Sequence, residues 1–146
     1  MADAGGIIDV VEDNVKIELF GPDGALKQEI TLHNAVTTSG KNGAADQILA
    51  GPTLGKPTHM ALGTGTPGAN ALGAELDRNA LLTKTRSGAV VTMTCSWGPG
   101  DGTGALVEAG IFDASSSGNM WCSATFPIVN KGAGDTISLS WTLTFA

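Results

Sequence analysis

Two segments of this 146-residue chain carry residue patterns that could do chemistry. Residues 63–68 read G-x-G-x-x-G after a short predicted strand, a pattern that holds a phosphate at a helix N-terminus in dinucleotide-binding domains. Glu108 lies inside another predicted strand, where a carboxylate is either a paired structural group or a catalytic acid. Because the sequence shows no βαβ unit and Pro67 interrupts the glycine pattern, we interpret residues 63–68 as a glycine-rich surface turn.

The other acidic and nucleophilic side chains lack the spacing of a catalytic centre. We interpret Glu75 and Asp77 as solvated charges rather than as a hydrolytic pair. No G-x-S-x-G nucleophile elbow occurs among the serines. We therefore expect Glu108 to be structural and the protein not to be an enzyme, with a small sugar-active enzyme as the alternative.

The cysteines and histidines also lack the paired spacing of a metal site. Cys95 and Cys122 lie in predicted strands, and His33 and His59 are scattered. We expect both cysteines to be free, buried thiols, since a disulfide would need their strands to be neighbours in a suitable register. We expect His33 to be a structural histidine, and we expect no metal and no cofactor.

The tryptophans could build a sugar-binding platform or fill the core. Trp97 and Trp141 follow the apolar faces of their predicted strands, which favours the core. Trp121 lies opposite the apolar set of its own strand, so alternation predicts that it faces a partner or a ligand. We therefore take Trp121 as a candidate partner-binding residue.

The element that must organise these residues is the C-terminal segment 136–146. Its side chains alternate strictly between large apolar and small hydroxylated types, the period of a strand with one buried and one wet face. The apolar set is Ile137, Leu139, Trp141, Leu143 and Phe145. Each of these side chains is worth roughly 1.5–3 kcal/mol when buried, so the chain must supply an opposing layer. We predict an all-β sandwich, or jelly roll, of about seven to eight strands.

Turn signals divide the preceding chain into short elements. Residues 21–24 read Gly-Pro-Asp-Gly and predict a hairpin between strands at 15–20 and 25–33. Helix formers before a Gly-Pro pair predict one short helix at 44–49. The remaining segments are a long excursion at 69–82 and strands at 59–62, 84–97, 106–112 and 119–126. No repeat or boundary divides them, so we predict one domain over residues 15–146.

Residues 1–14 precede the first alternating strand and are predicted to form an N-terminal arm. The segment has a flexible Gly-Gly joint and an apolar patch flanked by acidic residues. The patch consists of Ile7, Ile8, Val10 and Val11. Such a segment orders on contact when apolar burial offsets the lost chain entropy. We expect these four residues to bind a neighbouring subunit or another partner.

The net charge of −6 disfavours two classes of partner. A phosphate backbone needs clustered cations, and the sequence has no Lys/Arg cluster, so we expect no nucleic acid. The apolar runs are too short to span a bilayer and no basic amphipathic helix occurs, so we expect no membrane. The N-terminal residues lack the basic and apolar regions of a signal peptide, which predicts synthesis in the cytoplasm.

Five segments, in order, resemble a family of small virion proteins of tailed bacteriophages. They are ITLHNAVT at 30–37, MALGTGT at 60–66, LGAELDR at 72–78, EAGIF at 108–112 and WTLTF at 141–145. The resemblance covers roughly residues 15–146 and implies a non-enzymatic, β-rich structural module without catalytic residues. Unlike fibre proteins, this chain has no long shaft, collagen-like repeat or coiled-coil heptad.

The function that the resemblance implies is that of a virion structural protein. The compact acidic chain without a shaft favours a capsid decoration (cement) protein on the outer surface of the head. Its expected partners are the major capsid protein or other virion proteins, and its expected state is a homo-oligomer, with a trimer favoured. The alternative is a tail-fibre or baseplate-associated module that binds the host surface.

Overall fold

Two antiparallel sheets of five strands each pack face to face in the computed structural model. It describes the backbone of residues 10–33 and 35–145 and the side chains of residues 14–33 and 36–145. In chain order the elements are β1 (Val10–Phe20), β2 (Leu26–His33), β3 (Ala35–Val36), α1 (Thr38–Asp46), β4 (His59–Gly63), β5 (Glu75–Ala80), β6 (Thr83–Ser87), β7 (Val90–Trp97), β8 (Gly104–Phe112), β9 (Met120–Lys131) and β10 (Thr136–Phe145). The strand orders are β2-β1-β10-β7-β6 and β3-β9-β8-β4-β5. The predicted all-β sandwich is confirmed.

The C-terminal strand β10 lies at the centre of the first sheet. Trp141 is paired with Val15 of β1 on one side and with Met93 of β7 on the other, and all three are buried. The alternating apolar residues of β10 face the second sheet, as their period predicts. Buried side chains of β8 and β9, including Leu106 and Ile111, supply the opposing layer.

The described residues form ten strands rather than the predicted seven to eight, because the structure adds β3 and β5 and divides one predicted strand into two. Residues 84–97 contain two strands rather than one, since Gly88 turns the chain between β6 and β7 with φ of +59°. The excursion at 69–82 contains β5, which pairs with β4. One edge strand of each sheet, β6 and β5, therefore has a mostly polar sequence without apolar alternation.

The helix prediction was placed too late in the chain. The structure has α1 at Thr38–Asp46, because the Oγ1 atom of its N-cap Thr37 accepts a hydrogen bond from the amide of Gly40 at 3.0 Å. Any side chain at Gly40 or Gly43 would overlap Trp121 of β9. Close packing of α1 on β9 therefore accounts for two glycines that weaken helix propensity.

The first strand begins before the predicted boundary of the arm at residue 15. Val10 pairs with Phe145, and Asn14 pairs with Thr142 on β10 and with His33 on β2. Backbone pairing therefore places Val10 and Val11 in the first sheet. Ile7 and Ile8 lie outside the described residues.

A buried carboxylate holds the turn between β9 and β10 against β2. Asp135 accepts hydrogen bonds from the amide of Gly132 at 2.8 Å and from the ammonium group of Lys27 at 2.9 Å. The Gly132 amide, followed by the Lys27 ammonium group, holds the pKa of Asp135 below its ordinary value. The charged form of Asp135 therefore stabilises the fold.

The buried indole of Trp141 should contribute strongly to the free energy of unfolding. We expect Trp141→Ala to cost about 3–5 kcal/mol, as removal of a large aromatic side chain from a core does. Trp141→Phe should cost less, because most of the volume stays filled. Urea unfolding of both variants checks this, and a loss below about 1 kcal/mol for the alanine variant would contradict the register of β10.

Asp135→Asn should destabilise the protein at neutral pH and have less effect in acid. Because the folded-state pKa lies below the unfolded value of about 3.9, the charged carboxylate stabilises the fold above that pH. This contribution is lost as the pH falls through the folded-state pKa. Urea unfolding between pH 7 and pH 3 should show a difference between wild type and variant that shrinks below about pH 4. A difference that stays constant over this range would contradict the assignment.

Candidate functional site

The carboxylate of Glu108 is buried on the outer face of the second sheet. Its neighbours Ala109 and Ile111 belong to the main core, and strand alternation directs Glu108 to the opposite face with Phe112. Residues 64–74 cover that face and contact Glu108 through their backbone. The side chain is 0% exposed, so its oxygen atoms depend on protein donors.

Three backbone amides supply those donors. The amides of Gly65 and Ala74 donate to Oε2 of Glu108 at 2.8 Å, and the amide of Gly73 donates to Oε1 at 2.8 Å. Hydrogen bonds to a carboxylate are stronger than those between neutral groups. Both oxygen atoms are thus engaged within the protein, which matches the predicted structural role of Glu108. We call Glu108 and residues 64–74 the carboxylate lock.

The glycine pattern at 63–68 is explained by this close packing. A side chain at Gly63 would overlap Oε2 of Glu108, and a Cβ on Gly65 would lie 2.7 Å from the amide nitrogen of Ala74. The amide of Thr64 donates to the carbonyl of Ala74 and that of Gly68 donates to the carbonyl of Ala71. The amides of Thr64, Gly65 and Gly68 therefore bind acceptors within the protein rather than a phosphate.

Arg78 closes the same face and was not identified from the sequence. Its guanidinium group lies 3.7 Å from the centroid of the Phe112 ring, and it donates to both carboxylate oxygens of Glu75 at 2.9 and 2.6 Å. It also donates to the carbonyls of Ala114 and Ser117 at 2.9 Å. Glu75 is therefore an ion-pair partner rather than a freely solvated charge. No sequence pattern signals Arg78, because its role depends on the pairing of β5 with β4.

The thiols and imidazoles do not assemble into a reactive centre. Cys95 and Cys122 are buried thiols that form no disulfide, as predicted, and burial raises the pKa of Cys95 to about 11. His33 is exposed at the end of β2, whereas His59 contacts the hydroxyl of Thr58 through Nδ1 at 2.8 Å. Within residues 10–33 and 35–145, no group of three His, Cys, Asp or Glu side chains could hold a metal ion. No helix of this part of the chain is long and apolar enough to cross a membrane.

The alternation argument for Trp121 fails at a β-bulge. Ile111 of β8 pairs with Cys122, and the next residue, Phe112, pairs with Met120, so Trp121 is the extra residue of β9. The bulge places Trp121 and Cys122 together in the main core, and only 6% of Trp121 is exposed. Its indole packs beneath Gly43 of α1 rather than projecting outward.

Trp121 nevertheless lines an apolar cleft of about 460 Å³ at one end of the sandwich. Val91 and Met93 of β7 and Leu143 and Phe145 of β10 also line it. Its volume lies within the range of about 300–1,000 Å³ that is typical of ligand pockets. The cleft is thus large enough to receive apolar side chains.

The lining of the cleft also includes three cationic residues. Lys56, Lys84 and Arg86 line the cleft, and no carboxylate occurs among the described residues that line it. Burial, and secondarily the nearby charge of Lys56, lower the pKa of Lys84. A local positive potential on a chain of net charge −6 favours an acidic partner at this position. We call this site the basic cleft.

An exposed apolar segment follows α1. It lies beside the basic cleft, because Gln47, the residue directly after α1, lines that cleft. Ile48 and Leu49 are 83% and 58% exposed, and Leu54 is also exposed. The carboxylate of Asp46 accepts a hydrogen bond from the amide of Leu54 at 2.8 Å. We call residues 48–54 the apolar loop. Clustered apolar side chains of this kind mark interaction surfaces.

Glu108→Gln should destabilise the protein without removing any apolar contact. In the native protein three N–H groups share the two oxygen atoms of the carboxylate, whereas a glutamine side chain offers them only one acceptor oxygen and points its NH₂ group at the third. A polar group that loses its hydrogen-bond partner inside a protein costs about 1–3 kcal/mol. Urea unfolding measures the loss. The matched control is Glu29→Gln, which changes an exposed carboxylate 3.8 Å from Lys16 and should stay within about 0.5 kcal/mol of wild type. Equal stability of the two variants would contradict the carboxylate lock.

Comparisons of this chain with protein-family models, with curated proteins and with solved structures found no match. The function proposed for this chain therefore rests on the geometry of the basic cleft and the apolar loop and on the expectations drawn from the sequence.

Proposed function

We propose that this chain is a virion structural protein of a tailed bacteriophage that decorates the outer surface of the head. The observation that carries the proposal is the apolar loop. Ile48, Leu49 and Leu54 expose large side chains within seven residues of sequence, at one end of the sandwich and beside the basic cleft. Covering such a cluster with another protein surface lowers the free energy of the system.

The side chains that could support catalysis are already used by the fold, which supports a binding role. Both oxygen atoms of Glu108 accept backbone hydrogen bonds, and Glu75 is paired with Arg78. The thiol of Cys95 is buried and its pKa is raised, so it is a poor nucleophile. We therefore propose a protein that acts by binding rather than by catalysis.

A decoration protein acts by mass action on the assembled shell. A ligand that binds the shell but not its separated subunits stabilises it by RT ln(1 + [L]/Kd), about 2.7 kcal/mol when the free ligand is at 100 times its Kd. The apolar loop suits this role because Asp46 ties it back to the end of α1, which lowers the entropy lost on binding. The proposed partner is the major capsid protein.

The choice of the head over the tail is supported by the resemblance and by the form of the chain. The five segments resemble small virion proteins, and no shaft, collagen-like repeat or heptad is present in the sequence. A homo-oligomer, with a trimer favoured, would present several apolar loops to neighbouring shell subunits and increase the avidity.

Shell binding should depend on the apolar loop. We expect the double variant Ile48→Ser/Leu49→Ser to remain folded, because both side chains are exposed, and to bind undecorated phage heads at least tenfold more weakly. A tenfold loss corresponds to about 1.4 kcal/mol. Co-sedimentation of labelled protein with purified heads and, separately, with purified tails measures the binding.

The matched control for this experiment is Leu26→Ser. Leu26 of β2 is comparably exposed, but it pairs with Phe20 at the end of β1 that lies away from Val10 and the basic cleft. It should bind heads as the wild type does. Binding of the wild type to tails alone would replace the proposal by the tail-fibre or baseplate alternative, and binding to neither would overturn a virion role.

A further inference from the structure

We infer that the basic cleft of one copy of this protein binds the N-terminal segment of a second copy. In this contact Ile7 and Ile8 enter the apolar surface of the cleft, and the acidic residues that flank them lie against its cationic side chains. The inference stands on the cleft and on the N-terminal sequence, and it is independent of whether the protein decorates a phage head.

The chemistry of the cleft defines what can fill it. Its apolar surface includes Trp121 and Phe145, and Lys84 and Arg86 extend from the neighbouring edge strand β6. Every residue of β6 is exposed, so both cations are accessible to a partner. An occupant must therefore combine a few apolar side chains with nearby negative charge.

The N-terminal segment has this composition. Residues 1–9 contain Ile7 and Ile8 together with Asp3 and Asp9, and they contain no Lys or Arg. Two adjacent isoleucines offer the apolar part, and the aspartates offer charges opposite to those of the cleft. Burial of each isoleucine is worth roughly 1.5–3 kcal/mol, which can offset the ordering of a short segment.

The N-terminal segment is joined to β1 at the end of the sandwich that contains the basic cleft. Val10 pairs with Phe145, and Phe145 lines the basic cleft. When two copies meet at these ends, the N-terminal segment of one copy therefore needs only a few residues to reach the basic cleft of the other.

The sequence next to Val10 favours a neighbouring cleft over the cleft of the same copy. Four of the five residues at 7–11 are β-branched, which favours an extended backbone, and only Asp9 separates Ile8 from the paired Val10. The glycines that would permit a sharp turn precede Ile7. Three extended residues span roughly 10 Å, so a segment that continued the direction of β1 would reach past the end of the sheet rather than fold back to the cleft beside it.

The N-terminal segment and the basic cleft are different surfaces of the protein, so the contact between them is heterologous. Heterologous contacts generate closed rings when the rotation between copies allows it. A ring gives each copy one filled cleft and one docked arm, and closure strengthens every contact through the high effective concentration of the last one. The trimer expected from the resemblance is a ring of this kind.

Two variants with complementary defects test the inference. The first lacks residues 1–9 and keeps Val10, so that β1 remains complete and the cleft is intact. The second carries Lys84→Glu and Arg86→Glu, which leaves the arm intact and reverses two charges of the cleft. We expect sedimentation velocity to show an oligomer for the wild type and at least tenfold weaker self-association for each variant alone. Mixed in equal amounts, the two variants should form a one-to-one heterodimer, because one working arm and one working cleft remain.

The matched control is Lys41→Glu, which reverses an exposed charge on α1 that does not line the cleft. It should assemble as the wild type does. A mixture that stays monomeric, a wild type that is monomeric at all concentrations, or variants that assemble normally would each overturn the inference. Binding to phage heads is scored separately, so loss of self-association with retained head binding leaves the decoration proposal standing.

Discussion

A carboxylate that is buried in an apolar layer must find hydrogen-bond donors, and the second sheet of this protein is arranged around that requirement. Leaving such a group without partners would cost several kcal/mol, a large part of the stability of a domain this size. Three amides from residues 64–74 meet the requirement at 2.8 Å. The loop can approach Glu108 so closely only because Gly63 and Gly65 carry no side chain.

The same packing joins three separate segments of the sequence. Residues 60–66 and 72–78 contain the loop ends that bind Glu108, and residues 108–112 contain Glu108 and Phe112. Arg78 stacks on Phe112 and joins these segments. These three segments therefore build one structural unit that maintains the fold. The basic cleft and the apolar loop lie elsewhere, at the end of the sandwich where partner recognition is proposed.

Local periodicity predicted the parts of the fold that obey it. The alternation in β10 correctly predicted a strand and its buried face, since a regular strand places every second side chain on the same side. The same reasoning failed for Trp121, because a single-residue bulge reverses the alternation and is set by pairing with β8.

Features that depend on contacts between distant residues also could not be predicted from the sequence. The glycines of α1 are explained only by contact with Trp121, and the role of Arg78 needs β5 beside β4. The basic cleft joins residues from six different segments of the chain, and Lys56 is far in sequence from Lys84 and Arg86. Net charge predicted an acidic protein but could not show that three cations gather at one end.

The carboxylate lock is the central claim of this structural account, and amide hydrogen exchange tests it most directly. In the native protein the amides of Gly65, Gly73 and Ala74 should exchange as slowly as the amides of the central strand β10, because the loop cannot release Glu108 without exposing a buried carboxylate. Rapid exchange at these three amides, with slow exchange retained in β10, would contradict the lock and would show that the Glu108 carboxylate is open to solvent and free to act on a ligand.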